Sequence, residues 1–491
     1  MADFSNLIAG MHIGRLLPEI LVLVVAGAAI LTDVILPRGR STRAVQLVTL
    51  LGLIVVIAAS FLQRADKGQA FLNMVSIDGF TFYFRVILAG ITFLVVAVSE
   101  RYLDLARIRI AEYYLMLLFS LFGMMLMAMA NDLLIVFLGI ETMSVSLYAL
   151  VGMSRHKLAS SEGALKYFLL GAFTTGFFLY GIALLFGAAG STNLTEIAAY
   201  LHAAKGDLPL IAWAGAGLVL VAFGFKTALV PFHWWSPDAY EGAPTTITAF
   251  MSTAPKAAAF AAFLRVFYVG FADLVGGWEP VLWWIAVITM TFGNLLALQQ
   301  DSVKRMLAFS SITHAGYLVV ALLTFDSVGA AAVLFYLVVY ALMNVGAFLV
   351  AIAINRNEDD EKGYAFEDYR GLGFRRPGMA LAMLIFMLSL AGIPPTAGFF
   401  GKYYIFSAAV KQGYVTLAVI GVINSLFSVY YYMRVIVMMY LKEREEESEG
   451  RLFWTGEMAQ TVFLCALLIL LVGLFPDRLL EVARASVAAL M

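Results

Sequence analysis

The sequence predicts an all-α polytopic membrane protein of about fourteen transmembrane helices. Three observations predict it. Of 491 residues, 62% are hydrophobic and 13% charged, against roughly 45–50% and about 25% in soluble globular chains. Apolar runs recur from residue 16 to residue 475, with no polar block long enough to be a soluble domain. Two of those runs are too long for one straight span and contain prolines. This pattern excludes a soluble enzyme, a disordered chain and a nucleic-acid binder. The formal net charge of −1 offers no electrostatic footprint for an acidic or basic partner. Cys465, the one cysteine, cannot form an internal disulfide and cannot by itself hold an iron–sulfur cluster or a structural zinc.

A helix needs about 20 mostly apolar residues to cross the hydrocarbon core. In chain order, the first such runs lie near 16–36, 44–63 and 79–99. The opening run carries Glu19 and Asp33 and lacks a short apolar core before a small-residue cleavage site, so it is expected to be a retained helix rather than a signal peptide. Spans four to eight follow near 112–130, 132–152, 163–189, 210–240 and 244–269. The seventh belongs to a 34-residue stretch from Pro209 to Gly242, with Pro231 inside it and a polar run from His233 to Asp238. Spans nine to fourteen lie near 281–299, 303–324, 328–354, 378–410, 414–441 and 457–475. The twelfth is interrupted by Ala391-Gly392-Ile393-Pro394-Pro395-Thr396-Ala397-Gly398.

Cytoplasmic loops carry the excess of Lys and Arg. Loops after odd-numbered spans hold eighteen basic residues, including Arg38, Arg40, Arg107, Arg109, Arg155, Lys157, Arg356, Lys362, Arg444 and Arg451. The opposite side, with Lys205 and Arg265, holds eight. Both termini are therefore expected on the side away from the cytoplasm.

Six basic residues remain inside the spans: Arg85, Lys166, Lys226, Lys256, Lys402 and Arg434, joined by Glu141, His233 and His314. A charge at the bilayer centre costs about 2.5–3.5 kcal/mol on insertion scales. Four lysines and a glutamate left unpaired would cost on the order of 10 kcal/mol, comparable to a domain's whole stability. They must face one another, water or backbone carbonyls. Arg85 and Arg434 suit structural pairing or snorkelling. Arginine stays protonated, whereas lysine is the basic side chain that burial can deprotonate, so the choice of lysine favours proton transfer over structural glue. Broken membrane helices are tolerated where the freed backbone is buried in protein or lines a wet cavity, and in transporters they mark the ion site. A break coincides with a lysine twice, at Lys226 and at Lys402. Pro255 directly precedes Lys256. Asn344 and the Ser310-Ser311-Ile312-Thr313-His314 stretch would line a water path, whereas Tyr430-Tyr431-Tyr432 suits packing or an interfacial belt.

At these residues the chain resembles a known family, the antiporter-like subunits of respiratory complex I. The resemblance rests on Leu165-Lys166-Tyr167-Phe168-Leu169-Leu170-Gly171, on the whole stretch from Phe225 to Pro244, on Lys256, on the run from Lys304 to Tyr317, and on the run from Leu390 to Lys402. It covers nearly the whole chain. Among the paralogues it is most similar to the N type. The chain ends 16 residues after the last span, without the lateral-helix extension of the L type, and Lys402 stands where the M type is expected to carry a glutamate.

The resemblance implies two inverted five-helix repeats with discontinuous helices 7 and 12. Residues 1–111 would hold helices 1–3, residues 112–270 the first repeat, residues 271–441 the second, and residues 442–491 helix 14. It implies that Glu141 and Lys226 are a pair whose separation gates the lysine's proton affinity. Lys256 would be the central relay and Lys402 the terminal donor towards the periplasm. Lys166 would modulate the gate, and His233 and His314 would connect the sites. The chain would translocate protons across a bacterial inner membrane, embedded in lipid beside neighbouring antiporter-like and small membrane subunits. NADH, FMN, iron–sulfur clusters and quinone would be handled by the rest of the complex, with no redox site, metal or cofactor on this chain. No glycine-rich dinucleotide fingerprint is present. A subunit of a multisubunit sodium/proton antiporter is the alternative, since it would share these motifs. Sodium favours a cluster of oxygen ligands, and Glu141 is the only central carboxylate. A haem or quinone subunit is a third class, with only two intramembrane histidines and no quinone motif behind it.

Overall fold

A computed structural model describes residues 11–36, 41–106, 108, 111–204, 208–354, 364–443 and 453–490. Nine of the basic loop residues that set the expected orientation (Arg38, Arg40, Arg107, Arg109, Lys205, Arg356, Lys362, Arg444 and Arg451) lie outside them. Among the described residues, helices stand at each of the fourteen apolar runs. Twelve described helices are long and apolar enough to cross a membrane, and two shorter apolar helices are the first halves of broken spans.

The first three are α1 (Leu17–Ile35), α2 (Ser41–Leu62) and α3 (Gly79–Leu105). The next five are α4 (Glu112–Met129), α5 (Leu133–Val151), α6 (Leu158–Ala189), α7 in two pieces (Leu210–Lys226 and Trp235–Gly242) and α8 (Thr245–Met251 continued by Ala254–Arg265). A single π turn, Val266–Gly270, ends α8. A second set of five follows: α9 (Val275–Leu298), α10 (Val303–Leu322), α11 (Ser327–Ile354), α12 in two pieces (Pro377–Ala391 and Ala397–Lys411) and α13 (Val415–Leu441). Then come α14 (Gly456–Leu474) and the terminal helix α15 (Pro476–Val487).

Glycine sets the tight crossings. A Cβ on Gly123 of α4 would come within 2.6 Å of the Gly139 carbonyl of α5, and a Cβ on Gly139 within 2.7 Å of the Gly123 carbonyl. In the second set, a Cβ on Gly293 of α9 would meet Thr313 of α10 at 2.5 Å. Small residues let membrane helices approach closely where no hydrophobic drive separates helix from lipid. An isolated antiparallel bridge also recurs at matching places in the two sets. Asp132↔Asn193 joins the residue before α5 to the segment after α6, and Ser302↔Ala365 joins the residue before α10 to the segment after α11.

Three elements were not expected. A short antiparallel hairpin, β1 (Gly68–Ala70) and β2 (Val75–Ile77), stands between α2 and α3. Asn131 and Asn193 both donate from Nδ2 to the Asn73 carbonyl in its turn, at 3.0 Å each. A surface helix, Leu194–Ala203, is capped by Asn193, whose side chain accepts from Thr195 N. The amphipathic α15 begins with Pro476 and buries Leu480, Ala483 and Val487.

Candidate functional site: a line of buried lysines

The break in α7 begins at Thr227, ahead of Pro231. Ala228 takes a left-handed backbone with φ 58°. The Phe225 carbonyl accepts from Ala228 N at 3.0 Å and from the Trp235 indole Nε1 at 2.9 Å, across the break. Thr289 of α9 supplies an acceptor for Val230 N at 3.0 Å. The second break, Gly392 to Thr396, closes α12's first half with Gly392 at φ 83°. Lys402 reaches back and donates to the carbonyls of Leu390 and Ala391, at 2.9 and 3.0 Å, and to Ser425 Oγ at 2.8 Å. All three ammonium hydrogens are thus used, two of them on the negative end of a half-helix.

Lys226 ends α7's first half and donates to Ser144 Oγ at 2.7 Å. Glu141 stands three residues before Ser144 on α5, so the two share a face. Its Oε1 accepts from Thr175 Oγ1 of α6 at 2.6 Å. The expected Glu141–Lys226 pair is therefore not a direct ion pair: a serine stands between, and the carboxylate turns to α6. Lys256 donates to the Ser311 carbonyl at 2.7 Å and contacts its hydroxyl. His314, one helical turn further along α10, is bridged at both ring nitrogens, by the Tyr336 hydroxyl at 2.5 Å and the Tyr432 hydroxyl at 3.0 Å. Tyr432 also bonds Ser310. Lys226, Lys256, His314 and Lys402 are all buried, and Glu141 is half-buried.

Lys166 and His233 lie apart from the lysine line. Lys166 makes no ion pair with Glu141. Thr175 and Lys166 both lie on α6, where Lys166 is nine residues, about 14 Å, along the helix from Thr175. Its ammonium pairs instead with Glu162 at 2.6 Å and Asp238 at 2.7 Å, at 43% side-chain exposure. Asp238 also faces Arg305, which pairs with Glu241, so α6, α10 and α7's second half meet in one charged cluster. His233 is buried in the α7 break against Trp234, with Nδ1 unpartnered. Among the described residues, no hydrogen bond joins it to a lysine. Of the tyrosine triplet, Tyr430 is exposed, while Tyr431 and Tyr432 turn inward. Tyr431 donates to Asn294 Oδ1 at 2.9 Å.

The arginines behave differently. Arg85 forks onto both oxygens of Glu19, at 2.6 and 2.7 Å, with both side chains 2% exposed. Arg265, counted with the side away from the cytoplasm, is buried at the end of α8 and forks onto Asp78 at 2.9 and 3.1 Å. Burial pushes the Asp78 carboxyl up, but the Arg265 guanidinium and the hydrogen bonds of Thr81 outweigh it and hold it below its ordinary value. Arg434 meets Asp301 at 3.2 Å and lies over Phe366. Among the described residues, Lys226, Lys256 and Lys402 have no carboxylate within ion-pair distance, and no three His, Cys, Asp or Glu side chains converge on one point. Charges held by hydroxyls and carbonyls alone can be gained and lost without stranding a counter-ion.

A family profile described as "NADH:quinone oxidoreductase/Mrp antiporter, TM" matches residues 130–428. The chain is 43% identical over 488 residues to the NADH-quinone oxidoreductase subunit N of Trichlorobacter lovleyi, covering 99% of each. A chain in the solved structure of respiratory complex I from Thermus thermophilus with bound aureothin has a TM-score of 0.81 at 35% identity, over 95% of this chain and 99% of that one. A chain of the Mrp complex from a Dietzia species has a TM-score of 0.84 over 98% of each, at 22% identity, a likeness of fold alone.

Proposed function

From the premise that this chain belongs to the NADH:quinone oxidoreductase/Mrp antiporter family of membrane subunits, we propose that it moves protons from cytoplasm to periplasm. Within the family it groups with the N subunits of NADH–quinone oxidoreductase, an enzyme complex whose other membrane subunits are its partners. The reading has Glu141, Lys226, Lys256 and Lys402 as the proton-carrying groups. Oxidation of NADH and reduction of quinone take place in other subunits, with their flavin and iron–sulfur groups. Both termini face the periplasm of a bacterial inner membrane. Residues 112–270 and 271–441 form the two repeats.

The observation that carries this reading is the contrast between the cations. Arg85, Arg265 and Arg434 each have a carboxylate, as structural cations need. Lys226, Lys256 and Lys402 have hydroxyls and backbone carbonyls instead. A neutral amine can still accept from a hydroxyl, so these contacts tolerate both protonation states. Glu141 lies one helical turn from Ser144, which holds Lys226, so its charge biases the lysine without binding it.

The test is the whole complex in sealed vesicles, with NADH oxidation and lumen acidification followed on one sample. Lys256→Ala is expected to assemble and oxidise NADH while moving fewer protons per NADH. Unchanged proton movement would sink the reading. Acidification that requires sodium would instead favour the sodium/proton antiporter.

A further inference from the structure

An amide side chain inside an apolar helix must find its partners within the protein, because lipid offers none. Asn294 of α9 reaches across to α13. Its Nδ2 donates to the Asn424 carbonyl at 2.8 Å and to Asn424 Oδ1 at 3.1 Å. Its Oδ1 accepts from the Tyr431 hydroxyl at 2.9 Å. Asn424 and Tyr431 stand about two helical turns apart on one face of α13, so one amide straps both turns. Asn424 in turn donates from Nδ2 to the Ile420 carbonyl at 3.0 Å and towards Thr291 Oγ1 of α9 at 3.4 Å. Asn294, Asn424 and Tyr431 are all buried.

The carbonyl that Asn294 holds belongs to the peptide joining Asn424 to Ser425. The next carbonyl, that of Ser425 itself, accepts from Ser428 Oγ at 2.6 Å. Both carbonyls beside the Ser425 Cα are therefore held by side chains. Ser425 Oγ in turn accepts from the Lys402 ammonium at 2.8 Å, whereas the other two Lys402 bonds go to carbonyls of α12 itself. The strap has a firm base: a Cβ on Gly293, next to Asn294, would meet Thr313 of α10 at 2.5 Å. On the far side, α13 opens onto a groove of about 900 Å³ beside the second half of α12, and Lys402 and Ser425 both line it. Val422 and Leu426 are exposed there, so packing on that side does not fix how far Ser425 stands from Lys402. A strap that only held two helices together could end on a side chain. One that ends on the peptide carbonyl also fixes the residue that follows.

We propose that Asn294 is a positioning residue for Lys402: by gripping the Asn424–Ser425 peptide, it keeps the Ser425 hydroxyl within hydrogen-bond reach of the lysine nitrogen. Ser425 Oγ accepts from the ammonium, and when the amine is neutral the hydroxyl turns to donate into its lone pair. A shift of α13 by about 1 Å would stretch either bond out of range. The proposal rests on the proton-carrying reading of Lys402.

The test uses the assembled complex in sealed vesicles, with protons moved per NADH oxidised as the readout. Asn294→Leu keeps roughly the size of the side chain and deletes its hydrogen bonds, and Ser425→Ala deletes the hydroxyl. Each is expected to lose part of the proton movement, less than Lys402→Ala loses, and the two losses should be equal. The double variant should lose no more than either alone, because Asn294 acts through Ser425. A strap with a structural role alone gives summed losses, and that sum overturns the positioning. Should Asn294→Leu fail to assemble, Tyr431→Phe takes its place, removing one anchor of the Asn294 amide. Its loss should likewise vanish in the Ser425→Ala background, and normal proton movement in Tyr431→Phe then overturns the proposal. Normal movement in Asn294→Leu or Ser425→Ala, beside a defect in Lys402→Ala, overturns the positioning and spares the reading of Lys402. Normal movement in Lys402→Ala overturns both.

Discussion

Lys402 has every ammonium hydrogen engaged, on two carbonyls and one hydroxyl. Arginine can donate to the same carbonyls but does not release its proton. Lys402→Arg is therefore expected to assemble and to oxidise NADH without full proton movement. Lys402→Ala loses the carbonyl contacts as well, and its complex is expected to melt lower. Full pumping by the arginine variant would take Lys402 off the path. Ser144→Ala removes the hydroxyl that receives the Lys226 ammonium, and Glu141→Gln removes the nearby charge. Both should impair pumping with assembly intact, and unchanged pumping in Glu141→Gln would remove that charge from the mechanism. The charged members of this line were legible in the sequence because a charge inside an apolar run is costly and so conspicuous. Their hydroxyl partners Ser144, Thr175, Ser311, Ser425 and Tyr432 were not. A hydroxyl in a membrane helix usually bonds its own backbone four residues back, as Thr49, Ser60 and Thr92 do here, and nothing in sequence marks the few that also meet a charged side chain, as Ser144 does while bonding the Ile140 carbonyl. One partner of Lys166 was hidden for a related reason: Asp238 lies 72 residues away.

The two broken helices differ in what fastens them. In α12 the fastening is Lys402 itself; in α7 it is the Trp235 indole on the Phe225 carbonyl. Trp235→Phe keeps much of the ring area and deletes the donor, removing one of the hydrogen bonds on the Phe225 carbonyl, which keeps that from Ala228 N, at a cost of about 0.5–1.5 kcal/mol. We expect a lower melting temperature of the complex and a pumping defect larger than that of Trp234→Phe, whose parent residue is 70% exposed. Equal effects at the two positions would show that the indole bond does not hold the break. The left-handed conformation at Ala228 costs about 1–2 kcal/mol for a residue with a Cβ, so Ala228→Gly should be tolerated where Ala228→Val is not. Spans and breaks were readable from apolar length and from Pro and Gly. The hairpin at Gly68–Ile77 and the helix at Leu194–Ala203 were missed because each is too short to give a period, and each is fixed by asparagine contacts across the chain.

Across the whole molecule, the ion pairs and the lysine line are separate systems, and variants should separate them. Arg85 and Glu19 tie α3 to α1, and removing one partner of such a buried pair costs about 3–5 kcal/mol. Arg85→Met and Glu19→Leu are expected to destabilise the assembled complex singly, and less so together, with protons per NADH unchanged in whatever assembles. A coupling ratio that falls in step with stability would place the pair on the proton path. Orientation can be read with an impermeant thiol reagent, because native Cys465 is fully buried. Leu72→Cys, at the exposed hairpin turn, should label from the periplasmic side, and Arg155→Cys only from the cytoplasmic side. The glycine crossings carry a consequence for how this chain tolerates change. In a saturation library sorted for assembled complex, Gly123, Gly139, Gly181 and Gly215 should be nearly empty columns, since a single methyl would strike a carbonyl at 3.0 Å or less. Gly27, Gly90, Gly176 and Gly217, where nothing lies within 4 Å, should fill freely with alanine. Two glycines of the same helix would then diverge, Gly181 from Gly176 and Gly215 from Gly217, and an inheritance record of this chain would show spacing between helices rather than any preference for glycine as such.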